Sequence, residues 1–252
     1  MNRLSIFIFC LLLSASVCFA MTGAELAQAV YDREDGDDAY FKVEMILIDK
    51  NDNRRERLLE SFTREEAGLL KSYMEFLQPA DIEKTRFLSW ENQTEDDTQY
   101  LFLPALGRSR RIVSSQKKLS FVNTDFSYED MQRRKPTEDD HRLLGMTTCH
   151  DRRACYVLES LPHEGTSQYG KRYSLIEQES LIPVAVDFYD EKGKKIKEFR
   201  VHEFKVMDGI WTTIKIEMRD LKTRHRTVME TREVKYNQVL GEDIFSLRYL
   251  ER

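Results

Sequence analysis

Beyond its first residues, this chain of 252 residues has no long apolar run, and nothing approaches the roughly 18 to 20 positions of a membrane-spanning helix. Charge of one sign is lacking too. The net charge is only −5, without a block of either sign, which argues against nucleic acid as a partner. There is no Gly-x-Ser-x-Gly elbow, no Gly-rich phosphate loop and no His pair at helical metal spacing, so the common signatures of nucleophilic, phosphoryl-transfer and zinc chemistry are missing. The five histidines, His141, His150, His163, His202 and His225, stand apart in polar surroundings and read as solvated. Asp35-Gly36-Asp37 and Glu95-Asp96-Asp97 read as solvated turns, although the first has the oxygen ligands that calcium accepts. No cofactor is expected, no metal, and no enzyme.

Cysteine is scarce as well. Of four, Cys10 and Cys18 fall in the opening segment, where Asn2-Arg3 gives a short basic start and Leu4 to Leu13 an apolar stretch too short to cross a bilayer. Compact residues end at Ala20, so the segment reads as a secretory signal, 1–20, cleaved to leave one domain, 21–252. A lipid anchor on Cys18 would want a small residue before it and finds Val17. The remaining pair, Cys149 and Cys155 in "CHDRRAC", suits a disulfide at a hairpin tip in an oxidising compartment. A metal site using Cys149, His150, Cys155 and His163 is the rival, but its spacing matches no zinc pattern.

What is abundant is alternation. Thr22 and Glu25 are placed as a capping box for a helix through Tyr31. From Tyr40 the period becomes two: Phe41, Val43, Met45 and Leu47 share one face, with Lys42 and Glu44 on the other. The pattern predicts thirteen strands, near 40–47, 57–62, 69–77, 85–90, 99–103, 109–113, 143–148, 156–161, 171–178, 182–189, 195–206, 210–218 and 227–236. "DEKGKK" and "MDGI" supply hairpin turns. The reading is mainly β, an antiparallel meander. So long a sheet twists and curls, and the chain has few helices to cover its concave face. These are the first helix, the polar Gln116 to Lys135 segment with a short helix from Asp125, and a helix at "GEDIF"; "SLRYLER" reads as extended.

Candidate lining residues of that face are Phe41, Val43, Met45, Leu70, Met74, Phe76, Phe87, Trp90, Leu101, Leu103, Val184, Val186, Ile214 and Ile216, with Ile182, Phe188 and Met218 beside them. They suffice for a core, and equally for a cavity that accepts acyl chains. In "YLFLPALGRSRR", residues 100 to 111, an apolar strand turns through Pro104 to Gly107 into a basic one. Arg108 and Arg110 share one face and Arg111 takes the other. Either they guard a sheet edge or, with Phe126 and Tyr128, they border the cavity mouth and meet an anionic head group or acidic partner.

"FLSW", "YLFLPALGRSRRI", "TDFSYEDM", "VDFYDEKGKKIKEF" with "DGIW", and "FSLRYLER" together resemble the larger branch of the LolA-like, outer-membrane lipoprotein-sorting family. The likeness runs in order through nearly the whole chain after residue 20. It implies a LolA/LolB-type fold, a strongly curved unclosed half barrel with helices as a lid. It also implies a periplasmic, non-catalytic carrier of lipid or lipoprotein acyl chains between inner and outer membranes. Implied partners are an inner-membrane transporter of RND or ABC type, an outer-membrane acceptor and, transiently, the membrane. Matched positions are Trp90, Pro104, Arg108, Arg110, Arg111, Asp125, Phe126, Tyr128, Glu129 and Asp130. The alternative is an envelope sensor or interaction module on the same scaffold.

A disulfide closing so short a loop removes little chain entropy. Replacing Cys149 and Cys155 together by Ser is therefore expected to leave the protein folded and to lower its stability by at most about 2 kcal/mol, read from urea unfolding.

Overall fold

Alternation of side chains decides most of the architecture. The computed structural model describes residues 21–149 and 151–252; the expected signal segment and His150 lie outside the described residues. Helix α1 (Gly23–Tyr31) begins with the reciprocal cap: Thr22 Oγ1 accepts the Glu25 N–H at 3.2 Å, and the Glu25 carboxylate accepts the Thr22 N–H at 2.7 Å. The strands are β1 (Asp38–Ile48), β2 (Arg54–Glu66), β3 (Leu69–Gln78), β4 (Arg86–Trp90), β5 (Thr98–Leu103), β6 (Arg108–Ile112), β7 (Asp139–Thr148), β8 (Ala154–Pro162), β9 (Lys171–Glu177), β10 (Pro183–Tyr189), β11 (Lys195–Met207), β12 (Ile210–Asp220) and β13 (His225–Tyr236).

All pair antiparallel in one sheet, in the order β6-β5-β4-β3-β2-β1-β13-β12-β11-β10-β9-β8-β7. Two meanders thus meet where β1 pairs with β13, and the sheet stays open between edge strands β6 and β7. Register carries one apolar face across it. Val43 lies opposite Leu59, Leu59 opposite Phe76, and Met74 opposite Phe87, which faces Leu101; in the other direction Met45 meets Met229, Met229 meets Ile216, and Met218 meets Phe199. Short ties draw the two halves together. Lys135 Nζ reaches Asp97, between β4 and β5, at 3.7 Å, while the next turn, Pro136–Glu138, packs on α1 and β7.

Two separate pieces cover the inner face. Leu26 and Ala27 of α1 pack on Leu158 of β8 and Ile176 of β9. Over the other half, the segment 113–135 inserts Phe121, Phe126 and Tyr128 into the main core. Phe121 is fully buried, with ring centroids 5.1 Å from Phe87, 5.6 Å from Tyr128 and 6.2 Å from Phe76.

The helix expected from Asp125 does not form. Its hydrogen-bonding groups are taken by the sheet: the Asp125 N–H donates to Thr227 Oγ1 at 3.0 Å, its carboxylate accepts from Thr227 and bonds His225 at 2.7 Å, and the Tyr128 carbonyl accepts from Gln99 at 2.9 Å. A chain whose polar groups find partners elsewhere has no need of a helical ladder. His225 is accordingly not the free solvated side chain that its sequence context suggests, and His141, bonded to Ser160 and to the Pro136 carbonyl at 2.9 Å each, is not free either.

The expected short helix at 241–245 is present as a 3-10 turn, Glu242–Phe245. The expected extended ending is instead one helical turn, α2 (Leu247–Leu250), capped by Ser246. Phe245 and Leu250 are buried against Tyr73, Leu88 and Phe102, on the outer face of β3 to β5. A capped turn lets both reach that surface.

Because Phe121 nails the 113–135 segment down, Phe121→Ala is expected to destabilise the protein by about 3 to 5 kcal/mol. Leu106→Ala, in the exposed β5–β6 turn, should shift stability by less than about 0.5 kcal/mol. Equilibrium denaturation of both variants checks the contrast.

Candidate functional site

Beside the 113–135 segment, bounded by it, by residues 165–168 and by strands β9 to β12, lies a cavity of about 540 Å³. Its floor is the inner face of β9 to β12: Val186 and Phe188 of β10, Phe199 of β11 and Met218 of β12 contribute apolar surface, with Pro183 and the roofing Phe126. The volume falls in the usual range of small-molecule sites, roughly 300 to 1,000 Å³. The rim is charged. Lys117, Lys118, Arg133 and Arg134 face Asp96, Asp97, Glu129, Asp130 and Glu138, and Arg172 of β9 adds a fifth cation from the floor. Burial is the main cause that raises the carboxyl pKa of Asp97 and of Glu138 above the ordinary range.

Strand register explains why floor and rim differ so sharply. Arg172 and Ser174 alternate inward along β9, opposite Phe188 and Val186 of β10. The β8–β9 connection, residues 163–170, then closes one side by binding the 113–135 segment. The Gln168 N–H donates to Glu129 at 3.0 Å, Ser167 donates to the same carboxylate, and Tyr169 donates to Asp130 at 2.8 Å. Lys197 of β11 completes the tie to Asp130 at 3.1 Å.

Arg133 joins both covers to the sheet. Its guanidinium pairs with Glu65 and with the nearly buried Glu91 at 2.8 Å each, donates to the Gly68 carbonyl at 3.0 Å, and lies 4.3 Å from the ring centre of Tyr31 in α1. Burial alone would lower the Arg133 pKa; the bonds to Glu91 and Glu65 outweigh it and hold the group above the arginine norm. Tyr31 donates its hydroxyl to Glu91, and burial, reinforced by that bond, pushes the phenol pKa up. Glu91 is thus shared between one cover's tyrosine and the other's arginine.

The residues singled out from sequence scatter over several environments. Val186 and Phe126 line the cavity. Val43, Met45, Met74, Phe76, Phe87 and Leu101 face inward but are packed solid beneath Phe121 and its neighbours, with Phe41, Leu103 and Ile216 half-buried at the margin. Tyr128 belongs to that packing, and burial raises its phenol pKa against the pull of the Arg110 guanidinium. Leu70 is the second residue of β3, its main-chain N–H and carbonyl both held by Glu91. Val184 sits at an irregularity of β10, and Ile214 beside one of β11. Trp90 is on the outer face: it stacks on Tyr100 and its indole N–H donates to the Phe245 carbonyl at 2.8 Å. Period two puts it opposite Phe87, three residues before, so the two could not share a cavity. Arg108, Arg110 and Arg111 are exposed on edge strand β6 and are not part of the cavity wall.

Cys149 and Cys155 form a disulfide, Cα atoms 5.8 Å apart, across the β7–β8 turn. Among the described residues, no group of three or more His, Cys, Asp and Glu is placed to hold a metal. Phe199, Arg172, Arg133 and Arg134 were not recoverable as site residues from the pattern. The available sign was an arginine at an inward position of "KRYSLIE".

Comparison with known proteins agrees with this geometry. A family model described as an uncharacterized protein matches residues 68–252. No curated protein matches the chain. Among solved structures, a DUF1329 family protein from Desulfovibrio piger superposes with a TM-score of 0.86 at 27% identity, over 90% of this chain and 97% of its own. A domain assigned to outer membrane lipoprotein sorting, from Vibrio parahaemolyticus, does so with 0.86 at 29% identity, over 91% and 98%. A LolA superfamily protein from Nitrosomonas europaea gives 0.70 at 19% identity, over 91% and 100%, a likeness of fold.

Removing one partner from a buried charge cluster typically costs about 3 to 5 kcal/mol. Arg133→Met is expected to destabilise on that scale and to speed amide hydrogen exchange in both 23–31 and 113–135, whereas Arg133→Lys should lose less. Exchange that rises in one cover alone would show that Arg133 does not couple them.

Proposed function

The chain belongs to the LolA-like family of outer-membrane lipoprotein-sorting proteins, and on that premise we propose that it is a non-catalytic carrier working in the periplasm. It takes up an acyl chain of a lipid or lipoprotein and passes it between inner and outer membrane, receiving it from an inner-membrane transporter of RND or ABC type. The observation that carries this reading is the cavity of about 540 Å³ with an apolar floor, roofed by a segment held through side-chain contacts rather than by the strand ladder. Burial in such a site is worth about 0.8 kcal/mol per methylene, so a chain binds firmly without a specific contact along its length. Entry and release require the 113–135 segment to lift. The disulfide is in keeping with an oxidising, extracytoplasmic compartment.

The half of the inner face under Phe121 is solid, which confines the guest to the half over β9 to β12. Filling that half should therefore block uptake. Val186→Trp is expected to cut acyl-chain binding at least tenfold while leaving the protein folded, since it replaces empty volume and not a packed neighbour. Extraction of the purified wild-type protein followed by mass spectrometry of the organic phase is expected to show bound lipid; protein that comes out empty and ignores added lipid would overturn the carrier reading.

A further inference from the structure

A partly satisfied charge stands on the cavity floor. Arg172 is 12% exposed at its side chain and lines the cavity beside Val186 and Phe188. Its one carboxylate partner is Asp139, which it reaches through Nη2. Asp139, only 4% exposed, is already engaged on its other oxygen by Arg134, through Nε at 2.9 Å and Nη2 at 2.6 Å. Arg134 has further acceptors in the Thr166 carbonyl at 2.9 Å and the Glu138 carboxylate at 3.3 Å. For Nε and Nη1 of Arg172, by contrast, no acceptor is found among the described residues. Glu129, the next carboxylate on that wall, favours the cation through space but is occupied by Ser167 and the Gln168 amide. Burial is the main influence on Arg172 and lowers its pKa. Ser174, one step along the same face, also lines the cavity, and no partner of its hydroxyl is found among the described residues.

A guanidinium has five donors in a planar fork suited to two oxygens of one anion. A buried cation with unused donors is unfavourable unless something supplies acceptors. Arg172 shares the cavity with the apolar side chains of Val186, Phe188, Phe199 and Met218. Inter-strand spacing of about 4.8 Å sets β9 and β12 about 14 Å apart along the sheet, an apolar path that begins at the cation.

We propose that the cavity binds an amphiphilic anion, a carboxylate or phosphate carried on an acyl chain, with its charged end paired to Arg172 and Ser174 and its tail lying across β10 to β12. The inference rests on the carrier reading and narrows it to head-inward binding of a charged, single-chain guest.

Calorimetric titration below the micellar concentration, with laurate, dodecyl phosphate and dodecanol, tests it. The wild-type protein is expected to bind at least one of the anions about tenfold or more tighter than the alcohol, and the tighter anion identifies the head group. Arg172→Met should erase that preference while leaving dodecanol binding within about twofold, and Arg172→Lys should retain part of it. Should Arg172→Met fail to fold, Ser174→Val, which leaves the Asp139 pair intact, should reduce the preference about threefold. Dodecanol bound as tightly as both anions, or a preference that survives Arg172→Met, overturns this inference and spares the carrier reading. Binding of none of the three overturns both.

Discussion

An open antiparallel sheet with one apolar face has to be covered by its own chain, and this requirement shapes everything else in the molecule. Thirteen strands generate a long inner surface of Val, Leu, Met and Phe, and exposure of that surface to water would be prohibitive. Among the described residues, a nine-residue helix and a loop of about twenty residues answer it, with Tyr169 of the β8–β9 connection at one side. They do not fill the space over the inner face of β9 to β12, so the cavity is what remains when the cover is shorter than the sheet.

The covers differ in how they are held. Helix α1 adheres chiefly through Leu26 and Ala27, a contact that is insensitive to direction and tolerant of small shifts. The 113–135 segment is positioned by directional bonds: Gln99 to the Tyr128 carbonyl, Arg57 to the Val122 carbonyl at 2.7 Å, Thr227 and His225 to Asp125, Lys197 and Tyr169 to Asp130. Such bonds depend steeply on distance and angle, which fixes the segment in one register on the sheet. Val122 adopts a φ of 45°, rare for a β-branched residue, and a segment held in a strained backbone by its surroundings has a conformational reason to move once they release it. Arg133 and Glu91 connect this segment to α1, so both roofs share one electrostatic anchor.

The strands were readable because alternation is a local property: Phe41, Val43, Met45 and Leu47 announce β1 without reference to any other part of the chain. Turn residues and the Thr22 cap were equally local. The failures came where a partner far along the chain decided the outcome. "TDFSYEDM" has helical potential, and Thr227 and Gln99, about a hundred and about thirty residues away, override it. Trp90 was misplaced for a simpler reason: as one of two large aromatics in a five-residue strand, it has the parity opposite to Phe87, and its true neighbours, Phe245 and Tyr100, belong to the outer layer.

Sequence alone determined that this chain builds an antiparallel, mainly β sheet with one oily face, too few helices to hide it, and a hairpin tip clamped by Cys149 and Cys155. It could do so because period, turn chemistry and residue spacing act over a few bonds. Only the tertiary structure decided which half of that face is solid and which is hollow. That depends on Phe121 filling the space over Phe76 and Phe87 while a cavity is left beside Val186, Phe199 and Met218, and on Arg172 standing where, among the described residues, only part of its hydrogen-bonding capacity is satisfied. Packing volume and buried charge are sums over residues distant in sequence, and they acquire values only when the chain is folded.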